Sequence, residues 1–170
     1  MEPFILVGPE GCGKTLLLRS MFQDLKSASV STIHCSAQTQ AKHVVEKLMT
    51  MCSQFTTNKG RVLRPKEGDR LILFLKDLNL PKADIYDTIQ LIAFLQQLVS
   101  YKGFHDDNLD WISIENVQIV ASMNPATSVG RSVLSTRFTA TVHIVYMSYP
   151  DHDQLESIYT GIPCLLFFPW

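Results

Sequence analysis

The octet Gly8-Pro9-Glu10-Gly11-Cys12-Gly13-Lys14-Thr15 satisfies G-x-x-x-x-G-K-[ST] at every fixed position. Phe4-Ile5-Leu6-Val7 ahead of it reads as a short buried strand, and Leu16-Leu17-Leu18-Arg19-Ser20-Met21-Phe22 behind it as the opening of a helix. Strand, glycine-rich loop and helix in that order predict an α/β fold. The glycines let the backbone curl so that successive N–H groups point inward, and the helix start adds partial positive charge. That environment suits phosphate. Lys14 is placed to reach the β- and γ-phosphates of ATP or ADP, and the Thr15 hydroxyl to take one Mg²⁺ position. The cofactor-binding expectation therefore covers Gly8, Pro9, Glu10, Gly11, Cys12, Gly13, Lys14 and Thr15, with Cys12 serving as a small residue that fits.

Strand-like and helix-like stretches alternate along the rest of the chain, as in a parallel sheet flanked by helices. Val30 to His34 reads as a second strand. Gln38 to Phe55 reads as a helix, with apolar residues at Val44, Val45, Leu48, Met51 and Cys52. Asn58-Lys59-Gly60 breaks the chain, and Arg61 to Asp69 is a small hairpin or loop. Leu71-Ile72-Leu73-Phe74-Leu75 is continuously apolar, the signature of a central strand covered on both faces. Asp84 or Asp87 begins the next helix, which ends near Gly103. Trp111 to Ile114, Val117 to Ser122 and Thr141 to Tyr146 complete the strands. Residues 1–160 form one nucleotide-binding unit, and 161–170 an apolar tail that departs from the pattern.

Bulk properties narrow the function. At 170 residues the chain suits a single domain. A formal net charge of -1 without a basic run argues against nucleic acid as a partner. No stretch approaches the ~20 apolar residues of a bilayer-spanning helix, so no membrane insertion is expected, and the N-terminus lacks secretory features. The cysteines at 12, 35, 52 and 164 have no C-x-x-C pairing, and the five histidines share no metal-ligand spacing. A reducing cytosol fits this usage.

A nucleotide hydrolase places a carboxylate at the end of a central strand for Mg²⁺, commonly with a second acid beside it to polarise water. Here Leu71 to Leu75 is followed by Lys76-Asp77, so one acid is missing in either register. With Asp77 as the Mg²⁺ ligand, Leu78 fills the water-polarising position; with Asp77 as the base, Lys76 fills the metal position. Asn124 ends a buried strand, where its amide is suited to orient water at the γ-phosphate and report ATP against ADP. Arg137, in Ser135-Thr136-Arg137-Phe138, is a candidate charge stabiliser for a neighbour's γ-phosphate. Arg131 fits that role and a solvated surface role equally. Asp77, Asn124 and Arg137 are thus the catalytic candidates, and Thr15 and Asp77 the metal candidates. A free-standing small NTPase or kinase and a structural ring segment with unhydrolysed nucleotide are alternatives.

The ordered set Gly8 to Thr15, Leu71 to Pro81, Ile119 to Pro125 and Gly130 to Phe138 resembles an AAA+ module of a dynein heavy chain, over roughly residues 3–160. Phe74-Leu75-Lys76-Asp77-Leu78-Asn79-Leu80-Pro81 is similar to the family's extended second nucleotide motif, where two acids precede the hydrophobic-Asn-hydrophobic-Pro run. That register puts Lys76 at the metal acid and Asp77 at the water-polarising acid. The spacing to Gly103-Phe104, Trp111, Asn124-Pro125 and Arg137-Phe138 is most similar to the third AAA module, and the overall character to the cytoplasmic dynein of intraflagellar transport. The resemblance implies a parallel sheet in the order 5-1-4-3-2, ATP or ADP with Mg²⁺ between neighbouring modules of one heavy chain, and Arg137 as the arginine finger. It further implies a regulatory role with weakened hydrolysis and no helical lid within these residues. Microtubules and dynein subunits would be engaged only through other parts of such a chain, in cytoplasm, cytoskeleton and cilium.

Overall fold

An apolar run with no polar interruption needs cover on both faces, and Leu71 to Leu75 has it: all five residues are buried in the strand that occupies Arg70–Lys76. The computed structural model describes residues 2–58, 60–86, 88–106, 108–128 and 130–161. Its elements are β1 (Phe4–Val7), α1 (Lys14–Asp24), β2 (Ala28–His34), α2 (Ala41–Met51), β3 (Cys52–Thr57), β4 (Gly60–Pro65), β5 (Arg70–Lys76), α3 (Gln90–Tyr101), β6 (Gly103–His105), β7 (Trp111–Ile114), β8 (Val117–Met123), α4 (Thr136–Thr139), β9 (His143–Tyr146) and α5 (His152–Gly161). Five strands form one sheet in the order β2-β5-β8-β1-β9, every neighbouring pair parallel. Numbered within that sheet and read from β9, this is 5-1-4-3-2, the order expected above.

Side chains alternate across a strand, so β5 feeds two cores. Leu71, Leu73 and Leu75 pack with Val44 and Leu48 of α2 and Leu91, Ile92 and Leu95 of α3. Ile72 and Phe74 face the other way and meet Leu18, Leu6 and Val120, with Phe22 set edge-on to Phe74 at a centroid distance of 5.6 Å. Burying each such side chain contributes about 1.5–3 kcal/mol. Helix α1 covers its face thinly. Among its residues Leu18 is buried, whereas Leu16 and Met21 stay exposed.

Two expected helices are shorter than the sequence pattern suggests. The helix expected over Gln38 to Phe55 stops at Met51, and Cys52–Thr57 leaves it to pair antiparallel with β4 in the register Cys52↔Pro65 to Thr57↔Gly60. Met51 and Cys52 fit an apolar helical stripe and a strand equally, and the β-favouring Phe55-Thr56-Thr57 run together with a partner strand decides it. The segment Arg61 to Asp69, expected as hairpin or loop, supplies that partner. Strands β3, β4, β7 and β6 join into a second, mixed sheet that the linear pattern did not announce. Helix α3 begins at Gln90 and not at Asp84, because the Asp84 carboxylate accepts the N–H groups of Tyr86 and Thr88, both at 2.9 Å, and closes a turn. Asp87, the other expected start, lies outside the described residues.

After Pro150 the chain forms α5, which reaches Gly161. The rest of the expected apolar tail lies outside the described residues. No helix among the described residues is long and apolar enough to cross a membrane.

Candidate nucleotide site

Strands β1 and β8 lie side by side in the sheet, yet their connections leave in opposite directions: β1 leads to β2 at one edge and β8 to β9 at the other. Such a divergence opens a crevice at the carboxyl ends of the strands, where ligands of open α/β sheets bind. The Gly8–Thr15 loop leaves β1 there, and Asn124 leaves β8 beside it.

The loop is built tightly. A Cβ on Gly8 would stand 2.4 Å from the Met147 carbonyl oxygen and 2.9 Å from Cys12 Sγ, so only glycine fits. Gly13 precedes α1 with φ of 94°, a left-handed conformation that turns the loop into the helix. Its carbonyl accepts the Leu17 N–H at 3.0 Å, the first bond of the helix. Lys14 bends back so that its ammonium donates to the carbonyls of Gly8 at 2.8 Å and Pro9 at 2.6 Å. A cation is thereby stored in the mouth of the loop, beside a helix N-terminus, which together suit an anion. Thr15 follows one residue on, in the first turn. Cys12 is buried and fills the loop, as its size suggests.

Asn124, Arg131 and Tyr149 meet Glu10 of the loop, and Asp77 and Asn79 join them from the end of β5. Asn124, 5 % exposed, donates from Nδ2 to Glu10 Oε1 at 2.9 Å. Arg131 sets Nη1 3.2 Å from Asp77 Oδ1 and Nη2 3.8 Å from Glu10 Oε1, and its side chain is only 11 % exposed. The Nη1 contact is electrostatic, because that atom has no hydrogen bond of good geometry. Asp77 follows β5 with φ of 58°, which turns the chain out of the sheet; Leu78 then donates to the Ser122 carbonyl at 3.1 Å. Asn79 is fully buried and its Nδ2 donates to the Asn124 carbonyl at 2.8 Å, tying the end of β5 to the end of β8. Tyr149, beyond β9, donates to the Glu10 carbonyl at 2.7 Å. Beside the loop a cavity of about 760 Å³ is walled by Cys12, Tyr146, Met147, Tyr149, Asp153 and Ser157.

The expected site residues therefore divide. Lys14, Thr15, Asp77 and Asn124 gather at one crevice with the loop. Arg137 does not join them: it lies exposed on α4 and makes no ion pair among the described residues. Lys76 ends β5 on the face shared with Ile72 and Phe74, the side α1 covers, and makes no ion pair among the described residues. Arg131, weighed in the sequence equally as a charge stabiliser for a neighbour and as a solvated surface residue, instead faces Asp77 and Glu10 of its own chain; Tyr149 and the cavity wall from α5 were not singled out in the sequence, since their contacts are long-range.

Cys35 carries the clearest electrostatic perturbation. Burial first, and the negative charge of Asp77 second, push its thiol up to about 12 from 9.0. The folded state therefore holds this proton more tightly than the unfolded chain does. Its contribution to stability is complete below pH about 9 and is lost as pH rises toward about 12. Between those limits the wild-type chain is expected to lose up to about 1.4 kcal/mol per pH unit relative to Cys35→Ala. Urea denaturation of both chains at pH 8 and pH 10 checks this, and parallel stability profiles would contradict it.

A parallel 5-1-4-3-2 sheet with a glycine-rich loop, lysine and threonine after its first strand is the large subdomain of an AAA+ phosphate-loop NTPase. The chain matches the family model described as "P-loop containing dynein motor region" over residues 1–150, and it belongs to that family. It is similar to "Cytoplasmic dynein 2 heavy chain 1" of Tripneustes gratilla, 55% identical over 160 residues that cover 94% of this chain and 4% of that one. Identity to the protein of the same description from Homo sapiens is 53% over 158 residues, covering 93% and 4%. For "Dynein heavy chain, cytoplasmic" of Drosophila melanogaster it is 38% over 160 residues, covering 93% and 3%. The chain thus spans about 4% of the length of these curated dynein 2 heavy chains.

Proposed function

We propose that this chain binds ATP and ADP with Mg²⁺ as a regulatory AAA+ module of a dynein heavy chain that serves intraflagellar transport, in cytoplasm, cytoskeleton and cilium. The observation that carries the binding is the Gly8–Thr15 cradle with the Lys14 ammonium held at its mouth. Gly8, Pro9, Glu10, Gly11, Cys12, Gly13, Lys14 and Thr15 would hold the phosphates, and the cavity beside them has room for the rest of a nucleotide. The oxygen donors Thr15 and Asp77 fit Mg²⁺, which takes one or two protein ligands and completes its shell from phosphate and water. Bound there, Mg²⁺ would neutralise charge on the phosphates. Asn124 would orient water at the γ-phosphate, and in the other register, with Lys76 at the metal position, Asp77 would instead accept its proton.

The third position in the ring is supported by the spacing of the motifs, and the identity to dynein 2 heavy chains supports the transport class. Neighbouring AAA+ modules of the same heavy chain are the direct partners, with exposed Arg137 directed to one of them; microtubules and dynein subunits are reached through other parts of the chain. A gate suits the residues better than an engine, because Lys76 stands where a metal-binding acid would lie. In a full-length heavy chain, ATP at this module is expected to outlast many motor cycles in single-turnover chase, and Lys76→Asp to accelerate its loss about tenfold or more, the scale of one restored transition-state contact. Equal rates in both chains would remove the reading of Lys76 as the brake.

A further inference from the structure

The loop carries a feature that a phosphate-binding surface does not need: Glu10, an anion where anions are to dock. Its charge is met from inside the protein. Asn124 donates to Oε1, and the Arg131 guanidinium lies between that oxygen and Asp77. Arg131 is nearly buried, whereas the Glu10 side chain is 70 % exposed, so the tighter half of this arrangement is the pair with Asp77. The segment bearing Arg131 is itself anchored, with the Ser132 N–H donating to the Asn79 carbonyl at 2.9 Å and Ser132 Oγ to the Pro81 carbonyl at 3.4 Å. The guanidinium is therefore delivered to Asp77 by the same backbone turn that presents Asp77.

We propose that Arg131 is an intramolecular competitor of Mg²⁺ for the Asp77 carboxylate, held in reach by the anchored backbone of its own segment, so that the metal adds little to nucleotide affinity until Arg131 withdraws. This rests on the nucleotide-binding reading above and assigns Arg131 a positioning role within it. A carboxylate already facing a guanidinium at 3.2 Å has little unneutralised charge to offer a dication, and Mg²⁺ must displace that partner to engage it. Lys76, one residue earlier, adds a second positive charge and disfavours the metal further. Glu10 acts in the opposite sense at the phosphates: it repels them, and its tether to Asn124 and Arg131 reduces that repulsion.

The two ends of the arrangement therefore differ in sign, which a merely structural role would not produce. Titration calorimetry of this chain with ATP, once in excess Mg²⁺ and once in EDTA, measures the metal's contribution as a ratio of affinities. In the wild type that ratio is expected to stay within about threefold. Arg131→Gln frees Asp77 and raises it by about tenfold, ~1.4 kcal/mol. Glu10→Gln, at an exposed side chain, keeps the acceptor for Asn124, raises affinity in EDTA by about threefold and leaves the ratio at or below wild type. Equal ratios in wild type and Arg131→Gln, or weaker metal-free binding in Glu10→Gln, would overturn the proposal while leaving nucleotide binding intact. Absence of binding in the wild type under both conditions would overturn the nucleotide reading and this proposal with it.

Discussion

Mg·ATP at 100 times its dissociation constant is expected to stabilise the chain by about 2.7 kcal/mol, and Lys14→Ala to cut that gain to about 0.4 kcal/mol at the same ligand concentration. For a chain of this size the wild-type shift corresponds to a melting temperature roughly 5–10 °C higher. The ammonium of Lys14 is already desolvated in part by two carbonyls of the loop, at 2.8 and 2.6 Å. Phosphate oxygens carry more negative charge than carbonyls, so the exchange strengthens its hydrogen bonds without a search for the right rotamer. Two such charge-assisted bonds are worth about 3 kcal/mol, so their removal lowers affinity by roughly 100-fold. The loop itself keeps its shape, because Gly8 and Gly13 and the helix bond from Leu17 to Gly13 do not involve the lysine side chain. A melting curve of Lys14→Ala that moves with ATP as far as the wild type's would contradict the assignment of this loop as the binding element.

Phe74→Ala is expected to cost about 3–5 kcal/mol, with a melting temperature some 10 °C lower. Phe74 is 1 % exposed and stands between the sheet and α1, where Leu18 and the edge-on ring of Phe22 are its contacts on the helix. The other apolar residues of α1 mostly face outward, so no second layer can close the gap. Loss of the ring therefore loosens the helix whose first turn carries Lys14 and Thr15, and ATP affinity should fall with stability. By contrast Phe55→Ala, at a half-exposed ring in β3, should change stability by less than about 1 kcal/mol. Chemical denaturation of the two variants decides it; a Phe74→Ala loss no greater than that of Phe55→Ala would contradict the account of how α1 is held.

Much of the site was readable from the chain because it is local. The loop, its strand and its helix are contiguous, and the burial of Leu71 to Leu75 follows from uninterrupted hydrophobicity. The sheet order followed from the resemblance and not from periodicity, and it agrees with the structure. What escaped is long-range or ambiguous at short range. Cys52–Thr57 could not be separated from α2 by apolar spacing, since its conformation is decided by hydrogen bonds to β4. Asp84 has the chemistry of a helix cap and spends it on a turn. The left-handed backbone at Asp77 and the guanidinium that meets its carboxylate have no linear signature, because one depends on the exit path from β5 and the other on a loop brought in from beyond β8.

The buried hydrogen bond from Asn79 to the carbonyl of Asn124 joins the tips of two adjacent strands. Parting them would strand a dry polar group at a cost of about 1–3 kcal/mol. Asp77 and the amide of Asn124 are consequently geared together: a push on either strand tip, wherever it originates in a larger assembly, arrives at both and changes their spacing to the phosphate loop in a single stroke.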